Sequence, residues 1–366
     1  MNSTTYYSCT AGNGTSDNGS TVNRICSEIT PGWTPLSIVQ LIIAVWGLVG
    51  NGGLFVVFAT HRALWTPFNV YVVNLIVANC VCIIVQFPLD TLSSLYDGKW
   101  ILGETVCTFY LQVLWCLQPI VFNSHQMIAI NRIWAVIHPI SYRSIHSIRT
   151  ALCLCAGVWV YVIIGVTPGV LRDTLYFRVP LPVKPQIDYC QINTDAQLSW
   201  AVAIQVVYYI WPQVTMVAAL VIIFFIKRVR QRAKAVRRSN AVVPNLNGGS
   251  AKEQQVEDHD RSGSGATPAV PSNSLEARLK PIQHPAAPHS HGNLLLVLLT
   301  ISVTICWTPN NVYYTWMFFK QLDYPVFYYF TTILFCLQAA IDPIMFTLAL
   351  KALRVALADF LSCRRS

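Results

Sequence analysis

Charged residues are scarce in this chain: Asp, Glu, Lys and Arg make up 11% of its 366 residues, against about 25% in an ordinary soluble domain. With 54% of its residues hydrophobic, it has too little polar surface to cover a water-facing core. That excludes a soluble globular protein and points to a bilayer as solvent. Catalytic signatures are missing too. No HExxH, GxSxG or CxxC occurs, so no enzyme is expected. There is no internal repeat and no line of membrane-embedded charges, which counts against a transporter or channel. Nothing in the chain calls for a cofactor or a metal, and no cleavage-site pattern precedes the first apolar run, which therefore reads as a retained helix and not a signal peptide.

Seven apolar runs remain, at about 35–60, 67–92, 105–135, 151–171, 198–226, 293–318 and 325–349. Each is long enough to span a bilayer. The fold class expected is an all-α membrane protein, a seven-transmembrane helix bundle with a short amphipathic helix after helix seven. The domain division is 1–33 as an extracellular glycosylated tail, 34–226 as helices one to five with their loops, 227–291 as a disordered third cytoplasmic loop, 292–349 as helices six and seven, and 350–366 as a cytoplasmic amphipathic helix and tail. The tail to Trp33 is rich in Ser, Thr, Asn and Gly and reads as largely without regular structure, pinned by a Cys9–Cys26 pair. The stretch after KRVRQRAKAVRR has no hydrophobic periodicity; its basic start reads as an extension of helix five that anchors at the membrane surface or docks a partner.

Orientation comes from the basic residues. Six of the 25 Lys and Arg (Arg24, Lys99, Arg172, Arg178, Lys184 and Lys320) fall on the amino-terminal side, leaving 19 on the other. The carboxyl terminus is therefore expected in the cytoplasm and the amino terminus outside, in a multi-pass plasma-membrane protein. Asn2, Asn13 and Asn18 each begin a glycosylation sequon, which agrees with that side. The net charge of +9 then reflects topology and the anionic inner leaflet, and no nucleic-acid partner is expected. Most cysteines lie inside apolar runs and read as small fillers, while Cys363 beside two arginines is either palmitoylated or a free thiol.

The stretch from Cys107 to Pro139 organises the rest. No Asp, Glu, Lys or Arg stands between Cys107 and Arg132. At about 1.5 Å per residue these two lie about 38 Å apart, slightly more than a hydrocarbon core of about 30 Å. A Gly50-Asn51-Gly52 patch in run one lets helices approach closely. Pro88 with Asp90 comes after Asn79 in run two, Pro168-Gly169 breaks run four, and Pro212 bends run five and frees a carbonyl that a neighbour must satisfy.

In this order the marks resemble the rhodopsin-like (class A) G protein-coupled receptors: Asn51 in GN, Asn79 after LIVA, Arg132 in NRI, Trp159, Pro212, Trp307 and Pro309 in CWTP, and Pro343 in DPIMF. Cys107 stands 25 residues before Arg132, as in that family, and Trp100 with Gly103 matches its first outer loop. The likeness runs from about residue 35 to 363, outside the tail and the third inner loop. It implies a disulfide between Cys107 and Cys190, a ligand pocket in the outer half, an outward swing of helix six about Pro309, and a crevice at Arg132 for a heterotrimeric G protein. The partners implied are thus an extracellular ligand, the G protein and the lipid bilayer.

The chain departs from the family around its switch. Asn131 stands where the family has an acid, His289 where helix six often carries another, and Leu220 and Phe346 where tyrosines meet the arginine. The family's deep Asp and Asn are exchanged as Asn79 and Asp342. Asp342 is expected to hydrogen-bond Asn79, with Gln338 one turn away, as a functional pair or as structural glue; Val121 in place of a serine counts against a sodium site. Switch residues are then Asn79, Asn131, Arg132, Trp307, Pro309, Asp342, Pro343 and Phe346.

No lysine lies between Asp323 and Leu350, so a retinal Schiff base has no amine to form on. Leu114 occupies the place of the amine receptors' aspartate, although WTPNN and PISYR are similar to muscarinic receptors. The expected pocket comprises Asp90, Leu114, Trp115, Gln118, Tyr208, Trp307, Asn310, Asn311, Tyr314 and Thr332, which suits a peptide end or a small polar molecule better than a biogenic amine. The other readings are a receptor-fold protein with weak or no G-protein activation, and a muscarinic-branch relative with an altered ligand.

Overall fold

A helix in a bilayer must find a partner for each main-chain polar group within the protein, and side chains cap the starts of three of the helices here. In the computed structural model, Thr34 caps the first helix by accepting from the Ser37 N–H while Ser37 answers at the Thr34 N–H, with Pro35 at the first position. Thr66 caps the second helix by accepting from the Asn69 N–H, with Pro67 at its first position, and Ser147 caps the fourth. Seven helices are long and apolar enough to cross a membrane: α1 Pro35–Thr60, α2 Pro67–Leu95, α3 Gly103–Ile137, α4 Ile148–Phe177, α5 Leu198–Val236, α6 Leu294–Met317 and α7 Val326–Ala349. A further amphipathic helix, α8 Lys351–Leu361, comes after them. This is the seven-helix bundle expected from the sequence.

The structure describes residues 6–11, 24–96, 98–178, 190–242, 289–319 and 324–362, with the backbone alone at 6–11, 24–29, 237–242, 289–293 and 325. The sequons at Asn2, Asn13 and Asn18, and Cys363, lie outside the described residues. The chain forms two compact units, Met1–Ile223 with Ser290–Ser366, and Phe224–His289. In the second, the Arg228 guanidinium sits 4.7 Å over the Phe224 ring.

Within the first unit α1 packs on α2 and α7, α3 packs on α2 and α4, and α8 rests against α1 and α7. Tyr71, Phe58, Phe122 and Phe346 are the largest of the fully buried side chains. Three elements differ from expectation. Strands β1 Tyr6–Ala11 and β2 Arg24–Ile29 pair antiparallel in the tail, with Cys9 opposite Cys26 in the register. The fourth run does not break at Pro168; α4 continues past it and ends in a π-helical turn, Asp173–Phe177, because a membrane helix bends at proline where neighbours re-satisfy it. Between α3 and α4, where the sequence marks no apolar run, lies a two-turn helix, Pro139–Ile145.

Candidate functional site

At the Cys107 end of the bundle, Cys107 and Cys190 form a disulfide with Cα atoms 5.6 Å apart, as the resemblance implied. Gly103 opens α3 at φ +78°, a left-handed conformation that glycine adopts without penalty, and its carbonyl accepts the Trp100 indole N–H at 2.9 Å. Arg178 clamps the same end: it donates to Asp173 at 2.9 Å, Thr108 at 2.6 Å and Glu104 at 3.2 Å.

The expected pocket residues divide. Asp90 accepts from the Tyr110 hydroxyl at 2.6 Å and from Gln86 at 3.1 Å. Trp307 is buried, stacked on Phe122 with centroids 4.4 Å apart, tilted on Phe335 at 4.6 Å, and its indole N–H has no partner among the described residues. Trp115 lies against Trp200 of α5. Leu114, Gln118 and Thr332 are half-buried, Asn310 and Asn311 are buried, and Tyr314 is 42% exposed. Tyr208 is turned away from Trp307: its hydroxyl donates to the Tyr161 carbonyl on α4. Tyr209 instead packs against Phe122 and Trp307. A π-helical turn over Val206–Ile210 accounts for this, since an inserted residue rotates the face that the succeeding turns present. A cleft of about 570 Å³ opens between α5 and α6, lined by Gln213, Thr308, Val312 and Trp316 among others, and shares only Asn311 with the expected pocket.

Proline places a second demand on the bundle, because its missing N–H leaves the carbonyl four residues back without a donor. The Asn51 amide supplies that donor for Ala339 behind Pro343, at 2.7 Å. Asn123 does so for Tyr208 behind Pro212, at 3.2 Å. The expected pair also meets: Asn79 donates to Asp342 Oδ2 at 2.8 Å, and Gln338 donates to Asp342 Oδ1 at 2.5 Å. His125 of α3 completes this group, its Nε2 3.1 Å from Asp342 Oδ1. Sequence reasoning passed over His125 because a neutral imidazole does not count as charge; its being the sole histidine in a charge-free stretch was the available signal. Asn74 is bonded to both Ser124 and Trp159, joining α2, α3 and α4.

At the other end, Arg132 makes no hydrogen bond or ion pair with a carboxylate or a tyrosine among the described residues. Its guanidinium carbon lies 3.3 Å from the centroid of the Phe68 ring, and its Nε is buried without a partner among the described residues. Asn131 accepts from the Tyr142 hydroxyl at 3.1 Å and lies 3.0 Å from His146 Nε2, which is also 3.1 Å from the Tyr71 hydroxyl. The His146 ring stacks on Tyr142 at 4.3 Å. The atom of Asn131 that faces Nε2 is its amide nitrogen, which only donates, so Nε2 is the acceptor; burial, and after it the like charge of Arg132, holds the imidazole below its ordinary value. Burial pushes the Tyr142 hydroxyl up, against the opposing pull of Arg132. Pro343 stands on α7 beside Gly50, and Phe346 is fully buried below it.

Comparison with known proteins gives the same picture. The family model described as 7 transmembrane receptor (rhodopsin family) matches residues 50–346. The chain is 27% identical over 211 residues to the melatonin receptor type 1A of Phodopus sungorus, covering 56% of this chain and 57% of that one. It is 26% identical over 208 residues to melanopsin of Homo sapiens, covering 56% and 42%. Against the melatonin receptor type 1B of Rattus norvegicus it is 29% identical over 206 residues, covering 56% and 54%. The matches thus span about half the length of these relatives.

Proposed function

This chain belongs to the rhodopsin family of seven-transmembrane receptors, and on that premise we propose that it binds a ligand at the Cys107 end and activates heterotrimeric G proteins at the Arg132 end. The Cys107 end faces outside and the carboxyl terminus the cytoplasm, a reading supported by the distribution of Lys and Arg. A ligand shifts the bundle by binding one arrangement more tightly than another.

The ligand is an uncharged small molecule or a peptide end. Leu114 offers no counter-ion to an ammonium, and α7 offers no lysine for a Schiff base. Similarity to melatonin receptors supports a neutral ligand, since melatonin carries no ammonium group. Around Trp307 the residues proposed to meet it are Asp90, Leu114, Trp115, Gln118, Asn310 and Asn311, with Tyr314 and Thr332 at the margins.

The observation that carries the reading is the seat of Arg132 on Phe68. A ring holds a guanidinium by about 0.5–2 kcal/mol, less than a buried ion pair whose breakage costs about 3–5 kcal/mol. The resting arrangement is then weakly held, and activity without agonist is the consequence. The test is ligand-independent G-protein activation in transfected cells at matched surface expression, for this chain and for Arg132→Ala. Basal activity that disappears in the variant supports the proposal. Background signal from both removes it and leaves the second reading, a receptor-fold protein that binds without activating, which Phe346 favours: it is fully buried and has no hydroxyl to offer Arg132.

A further inference from the structure

His125 and Asp342 face one another at the centre of the bundle with no exposed side-chain surface on either. Their hydrogen bonding fixes a proton count. Nδ1 of His125 lies 2.9 Å from the main-chain oxygen of Val121, and a carbonyl only accepts, so Nδ1 carries a hydrogen. Nε2 faces a carboxylate oxygen at 3.1 Å, so a proton lies between those two atoms as well. Whether it rests on nitrogen or on oxygen, the pair holds one shared proton and has no net charge. Losing the proton would set two lone pairs against each other beside an uncompensated anion; gaining another would bury an uncompensated cation.

Among the described residues the surroundings supply no other charge. From α1 comes Asn51, bonded to Asn79; from α2, Asn79 itself; from α7, Gln338. From α6 come Ser302, bonded to Gln338, and the thiol of Cys306, the other titratable group close enough to interact with Asp342. On α3 the nearest cation is Arg132, seven residues on and seated on Phe68. Two acceptors, Asn79 Oδ1 and Gln338 Oε1, have no donor among the described residues. Beside a neutral pair they suit a water, whereas an alkali-metal ion there would meet no net negative charge.

We propose that His125 and Asp342 form a built-in proton-binding site that ties α3 to α7, the shared proton filling the place of a metal cation. This does not depend on the signalling proposed above.

The experiment uses the purified full-length protein in detergent. Its unfolding temperature is measured in about 0.15 M sodium chloride and in the same concentration of N-methylglucamine chloride, for the wild type, His125→Leu, Asp342→Asn and the double variant. The wild type is expected to unfold at the same temperature in both salts. Loss of one partner strands the other, and His125→Leu is expected to unfold about 10 °C lower and to become sodium-dependent. The double variant recovers most of that loss, since both members leave together. Stabilisation of the wild type by sodium would overturn the proposal without recourse to any variant. So would a double variant whose loss equals the sum of the two single losses.

Discussion

The Asn51 side-chain amide donates to the main-chain oxygen of Ala339 at 2.7 Å, standing in for the N–H that Pro343 cannot offer. The bond is possible because α1 and α7 run close: a Cβ on Gly50 would lie 3.0 Å from the Pro343 ring. Replacing Asn51 with Leu leaves the carbonyl buried and unsatisfied. The expected loss is about 1–3 kcal/mol, measured as a lower unfolding temperature of the purified protein.

Gly169 of α4 lies directly under the Trp200 ring, and a Cβ there would collide with it. Gly169→Ala is expected to destabilise by about 1–3 kcal/mol. Trp200→Leu in the same chain should return part of that loss. If Gly169→Ala unfolds like the wild type, the helices are not packed this closely.

The ring beneath Arg132 is a sharper test of the switch. Phe68→Leu removes about 0.5–2 kcal/mol of attraction to the guanidinium while keeping an apolar side chain. Basal G-protein activation should rise several-fold at matched surface expression. An unchanged basal level would mean that Phe68 does not hold the resting arrangement.

His146 gives a pH dependence whose sign can be worked out. Its imidazole is held below its ordinary value of about 6.5 by burial and then by Arg132, so the folded chain takes up this proton less readily than the unfolded one. The stability that the neutral ring contributes is fully present above about pH 6.5 and is lost as pH falls through the folded value. Unfolding temperature tracked downward from pH 8 should therefore decline more steeply in the wild type than in His146→Gln. Parallel curves would show that His146 does not contribute in this way.

Reduction of Cys107–Cys190, or Cys107→Ala with Cys190→Ala, should cost up to about 4.5 kcal/mol, because the bond closes a segment with a sequence separation of 83 residues. Thermal unfolding with and without reductant measures it.

Much of this was legible in the residues. Seven runs of apolar side chains have one cheap solution in lipid, and proline, asparagine and arginine at fixed places within them carried the resemblance to a seven-helix family. Asn79 and Asp342 could be paired on paper because each is costly alone. Tyr208 could not be oriented that way: one extra residue in a π-helical turn moves a face, and no composition signals it. Phe68 and His146 escaped for another reason. An aromatic under a guanidinium and a histidine accepting from an amide are assembled from separate helices, and nothing local in either stretch marks them. The α5–α6 cleft is likewise a product of packing between two elements.

Asn74 sits where three helices meet, and the indole of Trp159 decides how it must lie. An indole N–H is never an acceptor, so the amide oxygen has to face Trp159 and the amide nitrogen has to face Ser124. The Ser124 hydroxyl is thereby cast as acceptor, its own hydrogen free to point elsewhere. Hydrogen-bond direction passes one way through the junction, from α4 to α2 to α3. An aspartate at position 74, though nearly the same shape, could receive from the indole but would have no proton to hand on.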